Sequence, residues 1–178
     1  AEARSEPACV RNYFLEATDM LADPNKPEQY KWIQGYNGSY VGPVLYANEG
    51  DEFNVTVSTH PLAREPAASS RALPSYSSNG GPQVLNSLTM EGTTIHWHGM
   101  VQPGTPYMDG VDMVAQCSTP PGFEFRYTFT ATPSGTHWYH SHTGVQYGNG
   151  LRGVMVVYKR GGDWCAPGTD WPEDVQYT

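Results

Sequence analysis

Five of the six histidines in this 178-residue chain fall between positions 96 and 142. His96 and His98 form the His-x-His pair of "TIHWHG", and His140 and His142 form a second pair in "YHSH". A neutral imidazole nitrogen is a common ligand of transition metals, so this concentration predicts a metal site. Residues two apart in an extended strand point to the same face, about 7 Å apart. Two such strands lying side by side would present four imidazoles to one small volume.

The strength of this prediction comes from the repetition of the pair. A lone histidine is usually a surface group, and we interpret His60, beside Pro61, in that way. Both pairs are flanked by aromatic residues and glycines, and each ends a strand-like run. His137 has the wrong parity to share a face with His140, which favours a supporting or surface position over a ligand. Copper and zinc both accept imidazole ligands, and four could serve one ion or be shared by two or three.

The composition favours one domain over residues 1–178, because halves of the chain would each have too little core. Glycine (19) and proline (15) are frequent and charged residues make up only 16%, a mixture typical of short strands joined by tight turns. The net charge of −8 argues against nucleic acid as a partner. No apolar run approaches the roughly 20 residues that a membrane span requires.

The elements that would position the histidines are predicted to be strands. The segment "VRNYFLEATDM" is compatible with a first strand. In "DEFNVTV" one face is apolar, formed by Phe53, Val55 and Val57. The strongest strand signal is an aromatic residue at every second position: Phe123, Phe125, Tyr127 and Phe129. No segment has helical periodicity over ten or more residues, so we expect an all-β two-sheet sandwich or Greek-key barrel.

Two segments lack such patterns. Residues from about 60 to 87 are rich in Ser, Pro, Ala and Gly and predict a long surface loop, with one short helical turn at most. Residues from about 160 to 178 are expected to form an extended C-terminal tail.

Several features favour a secreted protein whose signal peptide has been removed. The N-terminal "AEARSEPAC" has no hydrophobic segment, and sequons at Asn37 and Asn54 would allow glycosylation. The alternation of its strand points Asn54 to solvent. The chain has three cysteines, Cys9, Cys117 and Cys165, so one is left over if two of them pair. In a secreted protein the third suggests a disulfide partner on another chain or on a missing segment.

The residues around the histidine pairs resemble a known family. "TIHWHGMVQPGTPYMDGVDMVAQC" and "GTHWYHSHTGVQYGNGLRGVMVVY" are similar to the first cupredoxin domain of multicopper oxidases, particularly the laccase group. "NGSYVGPVLYANEGDEFNVTV" resembles the strand pair before these motifs, so the likeness runs from about Tyr36 to Tyr158. It implies a cupredoxin-like Greek-key fold and a copper oxidoreductase. In such an enzyme O2 is the electron acceptor, and a phenolic or similar small molecule is the reductant.

The resemblance also implies roles for single residues. His96 matches a ligand of the type 2 copper, and three ligands of the coupled type 3 pair are matched by His98, His140 and His142. Asp109, in "YMDGV", matches an acidic residue near the type 2 site that is thought to assist proton delivery. Reduction of O2 to water consumes four protons, which a carboxylate in a polar channel can relay. Without the resemblance, Asp109 would be interpreted as a turn residue before Gly110.

The chain also departs from the family pattern. The three-copper cluster of the family needs eight histidines, four of them from a later cupredoxin domain, and its type 1 copper needs a cysteine and two histidines. No cysteine among these 178 residues has a His-Cys-His context, and we expect no second set of ligands within them. We therefore expect half of the trinuclear site, completed by further cupredoxin domains or a second copy, and no laccase activity from the chain alone. Position 137 commonly carries an aromatic residue in the family.

The resemblance also bears on the cysteines. In relatives the cysteine that follows the first motif often bridges to the final domain, which matches Cys117. We then expect Cys9 to pair with Cys165.

Two other functions stay open on the sequence. One is a stand-alone extracellular cupredoxin that binds or carries copper or organises a matrix, including a two-fold dimer whose two sets of four histidines form one cage. The other is a zinc or dismutase-like enzyme, since a His-x-His pair and a third histidine can build a catalytic zinc site. Zinc is the weaker alternative because it makes poor use of the second pair.

Overall fold

The structure is a computed structural model, and it describes residues 8–22, 31–57 and 84–159. Within these ranges nearly all regular structure is extended, as the composition predicts. The nine strands are β1 (Val10–Leu21), β2 (Trp32–Tyr36), β3 (Leu45–Asn48), β4 (Glu52–Val57), β5 (Val84–Ser87), β6 (Ile95–His98), β7 (Phe125–Thr130), β8 (Gly135–Ser141) and β9 (Arg152–Tyr158). A 3-10 turn (Pro106–Met108) and one helical turn, α1 (Gln146–Asn149), complete the described elements.

The strands form two sheets. The first has the order β2-β1-β4-β7, with β5 also paired to β1, and the second has the order β3-β9-β8-β6. The pairs β1–β4, β1–β5 and β3–β9 are parallel, and the others are antiparallel. Strands distant in sequence are therefore neighbours, and the predicted all-β, two-sheet fold is confirmed.

The hydrophobic core lies between the two sheets. Trp97, from β6 of the second sheet, is fully buried and packs against Tyr127 and Phe129 of the first sheet, with ring centroids 5.2 and 5.0 Å away. Burial of an aromatic side chain of this size stabilises the fold by about 2–3 kcal/mol. The same core contains Tyr139, from β8. The two strands that carry the histidine pairs are thus anchored by the residues that alternate with the histidines.

Most strand predictions are confirmed in detail. The first predicted strand is β1, and Phe53 and Val55 of β4 are fully buried. The prediction that Phe123 belongs to the same strand as Phe125, Tyr127 and Phe129 is wrong, because β7 begins at Phe125 and Phe123 is 63% exposed. Phe123 belongs instead to a turn in which its N–H donates to the carbonyl of Pro120.

The prediction of a loop from about residue 60 to 87 is wrong for its last four residues, because Val84–Ser87 form β5. β4 pairs only with the first part of β1, as far as Phe14. The edge of β1 from Leu15 to Thr18 is therefore available, and β5 pairs with it in parallel. The remainder of the predicted loop and the tail of residues 160–178 lie outside the described residues.

Both sequon asparagines lie towards the surface. Asn37 is exposed in the turn after β2, where its side-chain amide donates to the carbonyl of Phe14 and its Oδ1 accepts from the N–H of Glu16. Asn54 lies on the outer face of β4, and its Nδ2 donates to Oδ1 of Asn12. Glycosylation of either residue stays a prediction.

Cys117 is an exposed, free thiol. Cys165 lies outside the described residues, so its pairing with Cys9 also stays a prediction. Among the residues that the structure describes, no helix is long and apolar enough to cross a membrane.

Candidate metal centre

His96 and His98 lie on β6 and His140 lies on the adjacent antiparallel strand β8, which His142 directly follows. In their register His96 is opposite His140, and Trp97 is opposite Tyr139. Trp97 and Tyr139 are fully buried in the core. Because side chains alternate along a strand, the histidines project from the opposite face, as the sequence predicts.

The four imidazoles converge. The ligand nitrogens of His96, His98 and His140 all lie within 4.8 Å of one another. Nδ1 of His98 is 3.3 Å from Nε2 of His140, so these two nitrogens face the same space. His142 directly follows β8, and its ring centroid is 5.5 Å from that of His96 and 6.1 Å from that of His140. All four histidines predicted as ligands are therefore neighbours.

Backbone carbonyls orient two of the rings. Nδ1 of His96 is 2.7 Å from the carbonyl oxygen of Asp109, and Nδ1 of His140 is 2.8 Å from that of Ser141. A carbonyl only accepts, so each Nδ1 carries the proton and each Nε2 keeps its lone pair for a metal. A hydrogen bond of this kind to the distant ring nitrogen is usual for a histidine that binds a metal.

The electrostatics keep His140 neutral at pH 7. Burial lowers its pKa to about 4, because only 6% of the residue is exposed and a charged ring would lose its hydration. The neighbouring imidazoles of His96, His98 and His142 lower this pKa further, whereas the hydrogen bond to Ser141 opposes the shift. A neutral ring is the form that binds a metal.

Asp109 ends the 3-10 turn beside His96. Its Oδ1 is 3.3 Å from Nδ1 of His96, and its side chain is 31% exposed. The next residue, Gly110, has φ of +75°, and a Cβ at that position would collide with the carbonyl of Ile95. Glycine therefore lets the loop lie against β6, where the carbonyl and carboxylate of Asp109 reach His96. Asp109 is both the predicted turn residue and a neighbour of the histidine cluster.

Two aromatic residues of the cluster were not predicted. Trp138 stacks on His140 with ring centroids 4.0 Å apart and lies 5.1 Å from His98. Tyr147, from α1, is 5.4 Å from His140. The parity rule could have found Trp138, since it lies two residues before His140 on the same strand. Nothing in the sequence pattern around Tyr147 indicates its position.

His137 lies apart from the four converging histidines. Its Nε2 is 3.0 Å from the carbonyl oxygen of Pro133, and its ring packs against Gly99. His60 lies outside the described residues.

The donor set fits copper. It consists of imidazole nitrogens alone, and no cysteine or carboxylate joins the group of three within the part of the chain that the structure describes. Imidazole suits copper, zinc, nickel and iron, so the donors alone do not distinguish copper from zinc.

Comparisons with known proteins distinguish between these possibilities. The multicopper oxidase family profile matches residues 82–162, the segment that contains all four histidines. L-ascorbate oxidase of Cucurbita maxima is 34% identical over 153 residues, which are 86% of this chain and 21% of that protein. Laccase-2 of Cryptococcus neoformans is 34% identical over 180 residues, which are 95% of this chain and 25% of that protein. The chain thus spans between a fifth and a quarter of the length of these relatives.

A solved structure supports the same relationship. The multi-copper oxidase of Pseudomonas thermotolerans superposes with a TM-score of 0.64 at 30% identity, covering 88% of this chain and 31% of that one. The predicted cupredoxin-like fold is therefore confirmed. Sequence motifs, sheet architecture and relatives agree, and on their combined evidence the chain belongs to the multicopper oxidase family.

Proposed function

We propose that this chain supplies four histidine ligands to a trinuclear copper site that reduces O2 to water. His96 would hold the type 2 copper, and the type 3 pair would be held by His98, His140 and His142. The observation that carries this proposal is that imidazole nitrogens of His96, His98 and His140 lie within 4.8 Å of one another, with the ring centroid of His142 5.5 Å from that of His96. That spacing suits ions bound at about 2 Å from each nitrogen.

The residues of the chain have distinct roles in this proposal. Copper, when bound, supplies the one-electron chemistry that O2 reduction requires. The carbonyl of Asp109 holds Nδ1 of His96 and the carbonyl of Ser141 holds Nδ1 of His140, so Nε2 of each ring would be available to hold copper. The carboxylate of Asp109 is partly exposed beside His96, where it can take protons from solvent and pass them to the site.

The partners follow from the incomplete ligand set. Further cupredoxin domains, or a second copy, would contribute the remaining histidines and a type 1 copper, and a phenolic or similar small molecule would deliver electrons there.

We further propose that the protein is secreted, glycosylated at Asn37 or Asn54, and carries a Cys9–Cys165 disulfide. The alternative of a stand-alone copper carrier is not favoured, because the relatives described above are oxidases.

The test is the metal content of the native protein that contains this chain. We expect stoichiometric copper in the wild type, reduced copper in His98→Ala and His140→Ala, and unchanged copper in the control His137→Ala. Stoichiometric zinc without copper would contradict the proposal, as would full copper occupancy in His140→Ala.

A further inference from the structure

A buried polar cluster lies directly behind the histidines. It consists of Thr93, Ser141 and Gln146, with Glu91 at its outer edge, and we name it the Gln146 cluster. Gln146 begins α1 and is only 2% exposed. Burial of an amide is unfavourable unless its donors and acceptors are all used, so such a residue is retained where its hydrogen bonds are complete.

Gln146 uses its full hydrogen-bonding capacity. Its Oε1 accepts from the hydroxyls of Ser141 (2.6 Å) and Thr93 (2.9 Å). Its Nε2 donates to the carbonyl of Gly92 (2.9 Å) and to a carboxylate oxygen of Glu91 (3.0 Å). Two acceptor positions and two donor hydrogens are thus all satisfied, which fixes the orientation of the side chain.

The partners of Gln146 belong to both ligand-bearing segments. Ser141 lies between His140 and His142, its carbonyl accepts from Nδ1 of His140, and its hydroxyl accepts from the N–H of Thr143. Thr93 and the carbonyl of Gly92 belong to the segment that leads into β6, three and four residues before His96. One side chain therefore ties the segment that precedes His96 to the segment between His140 and His142.

We propose that Gln146 is a positioning residue for the metal site. By holding Ser141 and Thr93 together, it fixes the separation of the two histidine pairs before copper binds, so that binding need not order the ligands. This inference rests on the proposed copper function. It adds to the ligand set a residue that contacts no metal and acts through the groups that hold His140, His142 and β6.

The experiment uses the native protein that contains this chain, stripped of metal and titrated with copper. Gln146→Leu keeps the approximate volume and removes all four hydrogen bonds, and Ser141→Ala removes only the hydroxyl. Gln102→Leu is the control, because Gln102 is a partly buried glutamine that accepts from Thr105 in a different loop. Copper affinity, the electron paramagnetic resonance spectrum of the bound copper and the melting temperature are measured for each.

We expect copper affinity to fall about 10- to 100-fold in Gln146→Leu, the range typical when a residue that supports metal ligands is lost. The electron paramagnetic resonance spectrum of the bound copper should change in Gln146→Leu and in Ser141→Ala. The control Gln102→Leu should match the wild type in copper affinity and in this spectrum. A double variant that combines Gln146→Leu with Ser141→Ala should bind copper little worse than Gln146→Leu alone, because both substitutions remove the hydrogen bond between Ser141 and Gln146.

Each outcome distinguishes the inference from the function on which it rests. If the wild type binds no copper, the proposed function is wrong, and the positioning role is wrong with it. If the wild type binds copper and Gln146→Leu lowers only the melting temperature, with affinity and spectrum unchanged, the function stands and the positioning role is overturned. If Gln146→Leu does not fold, wild-type affinity and spectrum in Ser141→Ala overturn the inference instead.

Discussion

His96 and His140 lie directly opposite each other across the β6–β8 pair, with ring centroids 5.4 Å apart and planes at 76° to each other. The residues beside them in the same register, Trp97 and Tyr139, are buried in the core. The packing that stabilises the sandwich therefore also sets which imidazoles meet. The histidine cluster therefore depends on the pairing of β6 with β8. The loop that contains Asp109 adds a hydrogen bond that orients His96.

Asp109→Asn separates the two proposed roles of this residue. The substitution keeps the backbone carbonyl that orients His96 and removes the ionisable group, so we expect full copper content and a fall in O2 reduction of about 100-fold or more. Copper analysis and oxygen consumption of the native protein measure the two effects. Asp112→Asn, in the same loop, is the control. An unchanged rate in Asp109→Asn would show that its carboxylate carries no protons.

The copper-free protein should lose stability as the pH falls, in part because of His140. Its pKa is lowered from 6.5 to about 4 in the folded protein, so between these values the unfolded chain binds a proton that the folded chain does not. Stability therefore falls from about pH 6.5 to about pH 4 and changes no further through this group below that range. Urea unfolding midpoints of wild type and His140→Gln, compared across this range, measure the effect. A difference between the two proteins that is independent of pH would contradict it.

Gly110→Ala should be far more damaging than the matched change Gly104→Ala. Both glycines have φ near +75°, and alanine there costs about 1–2 kcal/mol. At Gly104 no atom lies within 4 Å of an added Cβ, so we expect only this cost. At Gly110 the Cβ would collide with the carbonyl of Ile95, and we expect a loss of at least about 3 kcal/mol. Chemical unfolding measures both, and equal losses would show that the loop does not lie against β6.

Tyr127→Phe should destabilise the start of β6. The phenol oxygen of Tyr127 accepts from the buried N–H of Ile95 at 2.8 Å, and loss of this acceptor leaves the donor unpaired at a cost of about 1–3 kcal/mol. The control is Tyr36→Phe, because the buried hydroxyl of Tyr36 has no hydrogen-bond partner among the described residues. We expect that change to stay within about 1 kcal/mol of the wild type. Amide exchange at Ile95 reports the local effect, and an unaffected rate in Tyr127→Phe would contradict it.

The sequence predicts the part of the structure that depends on strand parity. Alternation placed Phe53 and Val55 in the core, and His96 and His98 on one face, because a strand repeats every two residues whatever its surroundings. The same rule separated His137 from His140. The close approach of the two pairs was a conditional prediction, since parity fixes a face and leaves open which strands are neighbours.

The rest depended on contacts between distant segments. Gln146 meets Glu91 and Thr93 from more than 50 positions away, and no local pattern links them. β5 pairs with the part of β1 that β4 leaves uncovered, and the four residues of β5 by themselves do not indicate this partner. The contact of Asp109 with His96 was similarly indicated only by the family resemblance, because its own neighbourhood predicts just a turn.

The alternation of Trp97 with His96 and His98 limits how this segment can change in evolution. A single-residue insertion or deletion within β6 would expose the indole of Trp97 to solvent and place an imidazole in the core. The core packing and the histidine cluster would then be lost together. Replacement of one side chain on either face leaves the other in place. Homologous chains should therefore vary here by substitution at constant length, while gaps in their alignments collect outside β6 and β8.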